Sequence, residues 1–179
     1  VMVLERAIYL SRVDSNVDRL LDLVVPLVEQ GKYDDALTNL EDGKGPVRRV
    51  LRSGIEQGRR TTENLEEILQ ESILAELPSL ERFLGALAVL AAIAPLLGLL
   101  GTVSGMISTF QVISVYGTGN AKLLSSGISE ALITTEIGLI VAVPILLAHA
   151  WLNRHVRNLV AHMDRAAVSL ISVIRKARP

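Results

Sequence analysis

The stretch GISEALITTEIGLIVAVPILLAH, Gly127 to His149, decides how the rest of the chain is read. It is long and apolar enough to cross a bilayer, because about 20 helical residues at 1.5 Å rise each span the hydrocarbon. Yet it carries two carboxylates, Glu130 and Glu136. A charged side chain near the bilayer centre costs roughly 2.5–3.5 kcal/mol on insertion scales, so such groups usually face a bundle interior or a wet cavity. Protonation of Glu130 removes most of that cost. That makes it a candidate for a proton path, the alternative being a carboxyl hydrogen-bonded to a neighbouring helix.

The chain around this stretch has 179 residues, half of them hydrophobic and 3% aromatic, with a mean hydropathy of +0.41. That is too apolar for an ordinary water-soluble domain, and the excess lies in the second half. A net charge of −1 gives no electrostatic footprint for nucleic acid. With no cysteine, disulfides and thiolate metal sites are excluded.

Upstream, Phe83 to Ala121 contains no charged residue. This run predicts a first spanning helix over 83–115 and a polar turn over 116–123 that begins Tyr116-Gly117-Thr118-Gly119-Asn120. A second span follows over 124–151, with Trp151 as an interfacial aromatic. Only Lys122 lies in the turn, whereas Arg154, Arg157, Arg165, Arg175, Lys176 and Arg178 follow the second span. The positive-inside rule therefore puts residues 1–82 and the tail 152–179 in the cytoplasm and the turn outside. Val156, Leu159, Val160, Met163, Ala167 and Leu170 continue at helical spacing, so the second span should run on as one long helix.

Residues 1–82 are charged and predicted helical. Asp14 or Ser15 can cap a helix with apolar positions Val17, Leu20, Leu21, Val24, Leu27 and Val28; Pro26 predicts a kink or an early stop, and Gly31 the end. Tyr33, Ala36, Leu37 and Leu40 mark a second helix. After a turn at Asp42 to Pro46, Val47, Val50, Leu51 and Ile55 mark a short third one ending near Gly58. Thr61 or Thr62 can cap the next, whose expected buried stripe is Leu65, Ile68, Leu69, Ile73 and Leu74. Pro78-Ser79 is read as a restart, with Ser79 as the cap. The apolar start Val1-Met2-Val3-Leu4, turning charged at Glu5-Arg6, predicts another membrane span upstream.

Within the first span, Gly101 and Gly105 form a GxxxG pair, and Ala94 and Gly98 a second small-xxx-small pair. Such residues let helix backbones approach closely in lipid, although taken alone generic packing accounts for them more readily. Pro95, and Pro144 in the second span, are expected soft points. Of the hydroxyls Thr102, Ser104, Ser108 and Thr109, most should bond a carbonyl one turn back. Thr102, in the glycine-rich region, is expected to be the exception. In the second span Glu130 and Thr134 share a face, and Thr135 lies about 140° further round. Ala131, Gly138 and Ala142 supply a small-residue contact stripe. His149, His155 and His162 lack the i, i+4 spacing of a chelating pair and read as interfacial, solvated residues, with no metal site. No nucleophile–base pairing or phosphate loop points to an enzyme.

APLLGLLGTVSGMI (Ala94 to Ile107), followed by GISEALITTEIGLIVAVP (Gly127 to Pro144), resembles the ExbB/TolQ members of the MotA/TolQ/ExbB proton-channel family over about residues 80–170. Leu4-Glu5-Arg6 resembles that family's boundary just after its first span. The resemblance implies an all-α membrane protein whose long transmembrane helices extend into a helical cytoplasmic region, assembled as a homo-oligomeric ring, a pentamer. It implies a bacterial inner-membrane location, with the ring around a single-span ExbD/TolR-like partner that carries a pore aspartate. A TonB/TolA-like protein is a further expected partner. The complex would convert an ion-motive force into mechanical work on an outer-membrane system, with no cofactor beyond the transported proton or sodium. Residue by residue, the family's membrane glutamate falls on Glu130 and its two pore threonines on Thr102 and Thr135; Thr134 is not the aligned position. Glu136 stands where relatives usually have a small residue. At about 120° from Glu130, it is open to three readings: a subunit contact, a pair with a basic group of a partner, or part of a second ion ligand set that would suit sodium. The competing reading of the whole chain is a passive membrane scaffold, which has no need of carboxylates at membrane depth.

Overall fold

The structure is a computed structural model that describes residues 2–13, 17–41, 45–60, 64–117 and 121–177. Its described elements are seven α-helices: α1 Met2–Val13, α2 Val17–Glu29, α3 Tyr33–Glu41, α4 Pro46–Gly58, α5 Leu65–Leu80, α6 Leu84–Tyr116 and α7 Ala121–Ala177. They form two compact parts, one of residues 1–82 with 152–179 and one of residues 83–151. The caps expected at Asp14 or Ser15 and at Thr61 or Thr62 lie outside the described residues, as do 42–44 and 118–120 of the two expected turns; residues 121–123, expected in the second turn, already belong to α7.

In the first part, α1 to α5 pack with the last turns of α7 around an apolar core. Val24, Val28, Val50, Leu51, Ile55, Leu69, Leu80, Met163, Leu170 and Ile174 are each almost wholly buried there. The helical periodicity of each segment supplies this face. α4 approaches its neighbours through glycine: a Cβ on Gly54 would meet Leu170 Cδ2 and Leu69 Cδ2 at 2.7 Å, and one on Gly58 would meet Ile174 Cδ1 at 2.5 Å. Exposed ion pairs Arg59–Asp34 and Arg165–Asp18, at 2.6 and 3.0 Å, tie the rim.

Three sequence expectations change here. Pro26 does not stop α2, which runs to Glu29 and closes in a Schellman motif: Gly31, at φ 74°, donates to Val28 O and Lys32 to Leu27 O. Leu74 is 61% exposed rather than buried. The buried row of α5 is Leu65, Leu69, Ile73 and Leu80, and Leu74 sits about 100° off it. Pro78-Ser79 is not a restart either. α5 continues to Leu80, and the Ser79 hydroxyl donates back to Glu76 O at 2.9 Å instead of capping a new helix.

The break comes four residues later, at Phe83 in the left-handed conformation (φ 68°). Arg6 caps the end of α5. Its side chain is 4% exposed, and Nη2 donates to Ser79 O and Leu80 O, both at 2.6 Å. These are last-turn carbonyls that a helix leaves without an internal donor.

In the second part, α6 and the first half of α7 are both long and apolar enough to cross a membrane. In their most apolar windows only 17% and 11% of the residues are buried. A core helix of a water-soluble protein would hide such a surface, whereas here Leu96, Leu97, Leu100, Phe110, Ile137, Ile140 and Leu147 are all exposed. The helices run through Pro95 and Pro144 without interruption.

Candidate functional site

The contact between α6 and α7 is built from residues with little or no side chain. A Cβ on Gly98 would lie 3.0 Å from Thr134 O and from Thr135 Cα. One on Gly138 would lie 2.9 Å from Ala94 O, and one on Gly105 would lie 2.7 Å from Ala131 Cβ. Ala131 and Ala142 are 1% exposed. In lipid the hydrophobic effect does not drive helices together, so close backbone approach and interhelical hydrogen bonds carry the pairing.

Hydroxyls border this contact on two flanks. On one flank, Thr135 Oγ1 donates to the Gly98 carbonyl across the helix pair at 3.0 Å and lies 3.4 Å from Thr102 Oγ1. Thr102 itself donates to Leu99 O at 2.7 Å. Thr102 is therefore not the exception expected among the span hydroxyls, because it too bonds a carbonyl of its own preceding turn. On the other flank, Thr134 donates to Ala131 O at 2.6 Å, its Oγ1 lying 3.5 Å from Gly98 O. There a groove of about 340 Å³ is lined by Gly101, Gly105, Ser108, Thr109, Val112, Leu124, Gly127, Glu130, Ala131 and Thr134.

The division follows from helical geometry. Consecutive residues differ by about 100°, so Gly101 and Thr102, and likewise Thr134 and Thr135, look to opposite sides of the contact. Glu130 and Thr134 thus share the groove, while Thr102 and Thr135 form a pair apart from it. Glu130 is exposed within the single chain. Glu136 is exposed too and does not line the groove; its helix face holds the exposed Leu132, Ile133 and Ile140.

The groove also contains residues that the sequence did not single out as a group. Thr109, 6% exposed, donates to Gly105 O at 2.9 Å, and a Cβ on Gly127 would clash with Thr109 Oγ1. Gly105 and Thr109, one turn apart, opposite Gly127 and Ala131, also one turn apart, were the readable sign. The histidines differ from expectation. His149, His155 and His162 are half-buried, and the last two line a cavity of about 70 Å³ with Leu10, Asn158 and Leu159. The helical face that carries His155 and His162 packs inward.

Two membrane-length helices joined through glycine, with a carboxylate in a hydroxyl-lined groove, define a membrane protein built to hold polar groups at depth. The chain belongs to the MotA/TolQ/ExbB proton channel family, whose model matches residues 42–165. It is 31% identical to a biopolymer transport protein of Synechocystis named ExbB-like 3 over 148 residues, 82% of this chain and 70% of that one. It is 27% identical to an ExbB homolog of Methanothermobacter thermautotrophicus over 154 residues, 86% of this chain and 54% of that one. Over 81 residues, 45% of this chain and 36% of the other, it is 38% identical to the Tol-Pal system protein TolQ of Haemophilus influenzae. The chain thus spans between about a third and 70% of these relatives' lengths.

Proposed function

We propose that this chain is an ion-conducting ring subunit of an energy-transducing motor in a bacterial inner membrane, of the ExbB–ExbD or TolQ–TolR type. The observation that carries the reading is Glu130, a carboxylate within a membrane-length helix, set in a groove with the hydroxyls of Ser108, Thr109 and Thr134. Lipid does not tolerate an ionised carboxylate cheaply, but a polar, enclosed axis does. Several copies, five by family resemblance, would enclose a single-span ExbD/TolR-like helix, with a TonB/TolA-like protein beyond it. The Thr102–Thr135 pair would line the path beside the partner's aspartate, and Glu130 would carry or electrostatically gate the ion. The proton is the favoured ion, with sodium the alternative. Passage would turn or tilt the partner helix inside the ring and deliver work to an outer-membrane or periplasmic system. Residues 1–82 and the tail would lie in the cytoplasm.

The test is ion-driven activity in membranes holding the whole complex. Glu130→Gln abolishes it on this reading. Full activity in that variant removes the role assigned to Glu130 and favours a passive scaffold.

A further inference from the structure

We infer that the groove on the Glu130 flank is a water-filled entrance. It runs from the outer end of the helix pair and delivers hydronium or another hydrated monovalent cation to Glu130 within a single protomer. This rests on the ion-path reading of Glu130 given above and adds a route: the ion reaches Glu130 along one side of the α6–α7 contact before it meets the Thr102–Thr135 pair on the other.

The lining fixes the class of occupant. Thr109 and Thr134 already use their hydroxyl hydrogens on the carbonyls of Gly105 and Ala131, so they turn only lone pairs to other partners. An ionised Glu130 is likewise acceptor-only. These acceptors, set among glycines, Val112, Leu124 and Ala131, suit water and cations and disfavour anions. A lipid acyl chain fits the groove poorly, because hydrocarbon would leave the carboxylate and these oxygens unsolvated.

The space is adequate. About 340 Å³ holds on the order of ten waters at about 30 Å³ each, and Gly101, Gly105 and Gly127 let α6 and α7 approach closely along its floor. Its direction follows from the sequence positions of the lining. Val112 lies one turn before the end of α6 at Tyr116, and Leu124 lies one turn after the start of α7 at Ala121. Between these residues and Glu130 come Ser108, Thr109 and Gly127. The groove therefore reaches the end of the helix pair that the positive-inside rule places outside.

These 179 residues contain no cysteine, and the complex without an introduced cysteine sets the background. Ser108→Cys and Val112→Cys in the full complex, in oriented vesicles, are exposed from the outer side to a membrane-impermeant methanethiosulfonate reagent. Phe110→Cys and Val103→Cys, outside the groove, serve as controls. The entrance predicts reaction at the groove positions at least tenfold faster than at the controls. It also predicts a flux loss of at least tenfold once Val112→Cys has reacted, reversed by reductant. Groove cysteines no faster than Phe110→Cys, as expected if lipid or a neighbouring helix fills the groove, overturn the proposal, and so does unchanged flux after reaction. Fast labelling together with normal flux in Glu130→Gln is a different failure: the groove is then wet but the assignment of Glu130 is lost, and delivery to it falls as well.

Discussion

Gly98 and Gly138 meet backbone to backbone: a Cβ built on Gly138 would stand 3.0 Å from Gly98 Cα, and one on Gly98 would stand 3.3 Å from Gly138 Cα. The obstacles around both are main-chain atoms of the other helix, which cannot rotate aside. Gly98→Val or Gly138→Val should therefore force α6 and α7 apart and destabilise the protein by about 1–3 kcal/mol, the range for overpacking. Thermal unfolding in detergent checks this, and Gly85→Ala, with open space around it, should not lower the midpoint.

Thr135→Val should lower ion-driven activity at least tenfold, while Thr135→Ser preserves most of it. The hydroxyl that reaches Gly98 O and approaches Thr102 survives in serine and is lost in valine. Thr135→Val is nearly the same size, so assembly should persist and can be verified by the subunit count.

Arg6→Ala should fray the end of α5. The carbonyls of Ser79 and Leu80 lose a shared donor in a buried place, a change worth about 1–3 kcal/mol. Faster hydrogen exchange at the amides of 79–84 is the expected readout. Arg6→Lys should rescue only in part, because one ammonium on a flexible stem replaces a planar fork.

The family-level architecture was legible in the sequence because its causes are local. The charge-free run from Phe83 to Ala121, the glycine-rich segment and the periodicity of Val156 to Leu170 each dictate a helix and a face. What the sequence did not disclose depended on partners distant in the chain. Arg6 looked like one charge at the border of an apolar start, yet it caps a helix more than seventy positions away. Leu74 fitted an apolar pattern, but the core turned to Ile73 and Leu80 and left it exposed. Ser108 and Thr109 were isolated hydroxyls until α7 placed Gly127 and Glu130 opposite them. The expected exception at Thr102 failed because its own preceding turn offered Leu99 O.

The core of the helical part makes a separate claim. Leu170 is fully buried beside Gly54, so Leu170→Ala should lower stability by about 2–5 kcal/mol through lost burial and a residual cavity. Val168, 67% exposed on the same helix, should tolerate the same truncation with little effect. Unfolding midpoints of the two variants decide it.

The most direct measurement is proton flux into vesicles holding the whole purified complex, under an imposed gradient, for the native chain and for Glu130→Gln at equal subunit count. The account predicts that flux falls to the level of empty vesicles when Glu130 can no longer ionise, with the ring still assembled. Native flux through a fully assembled Glu130→Gln complex would contradict it.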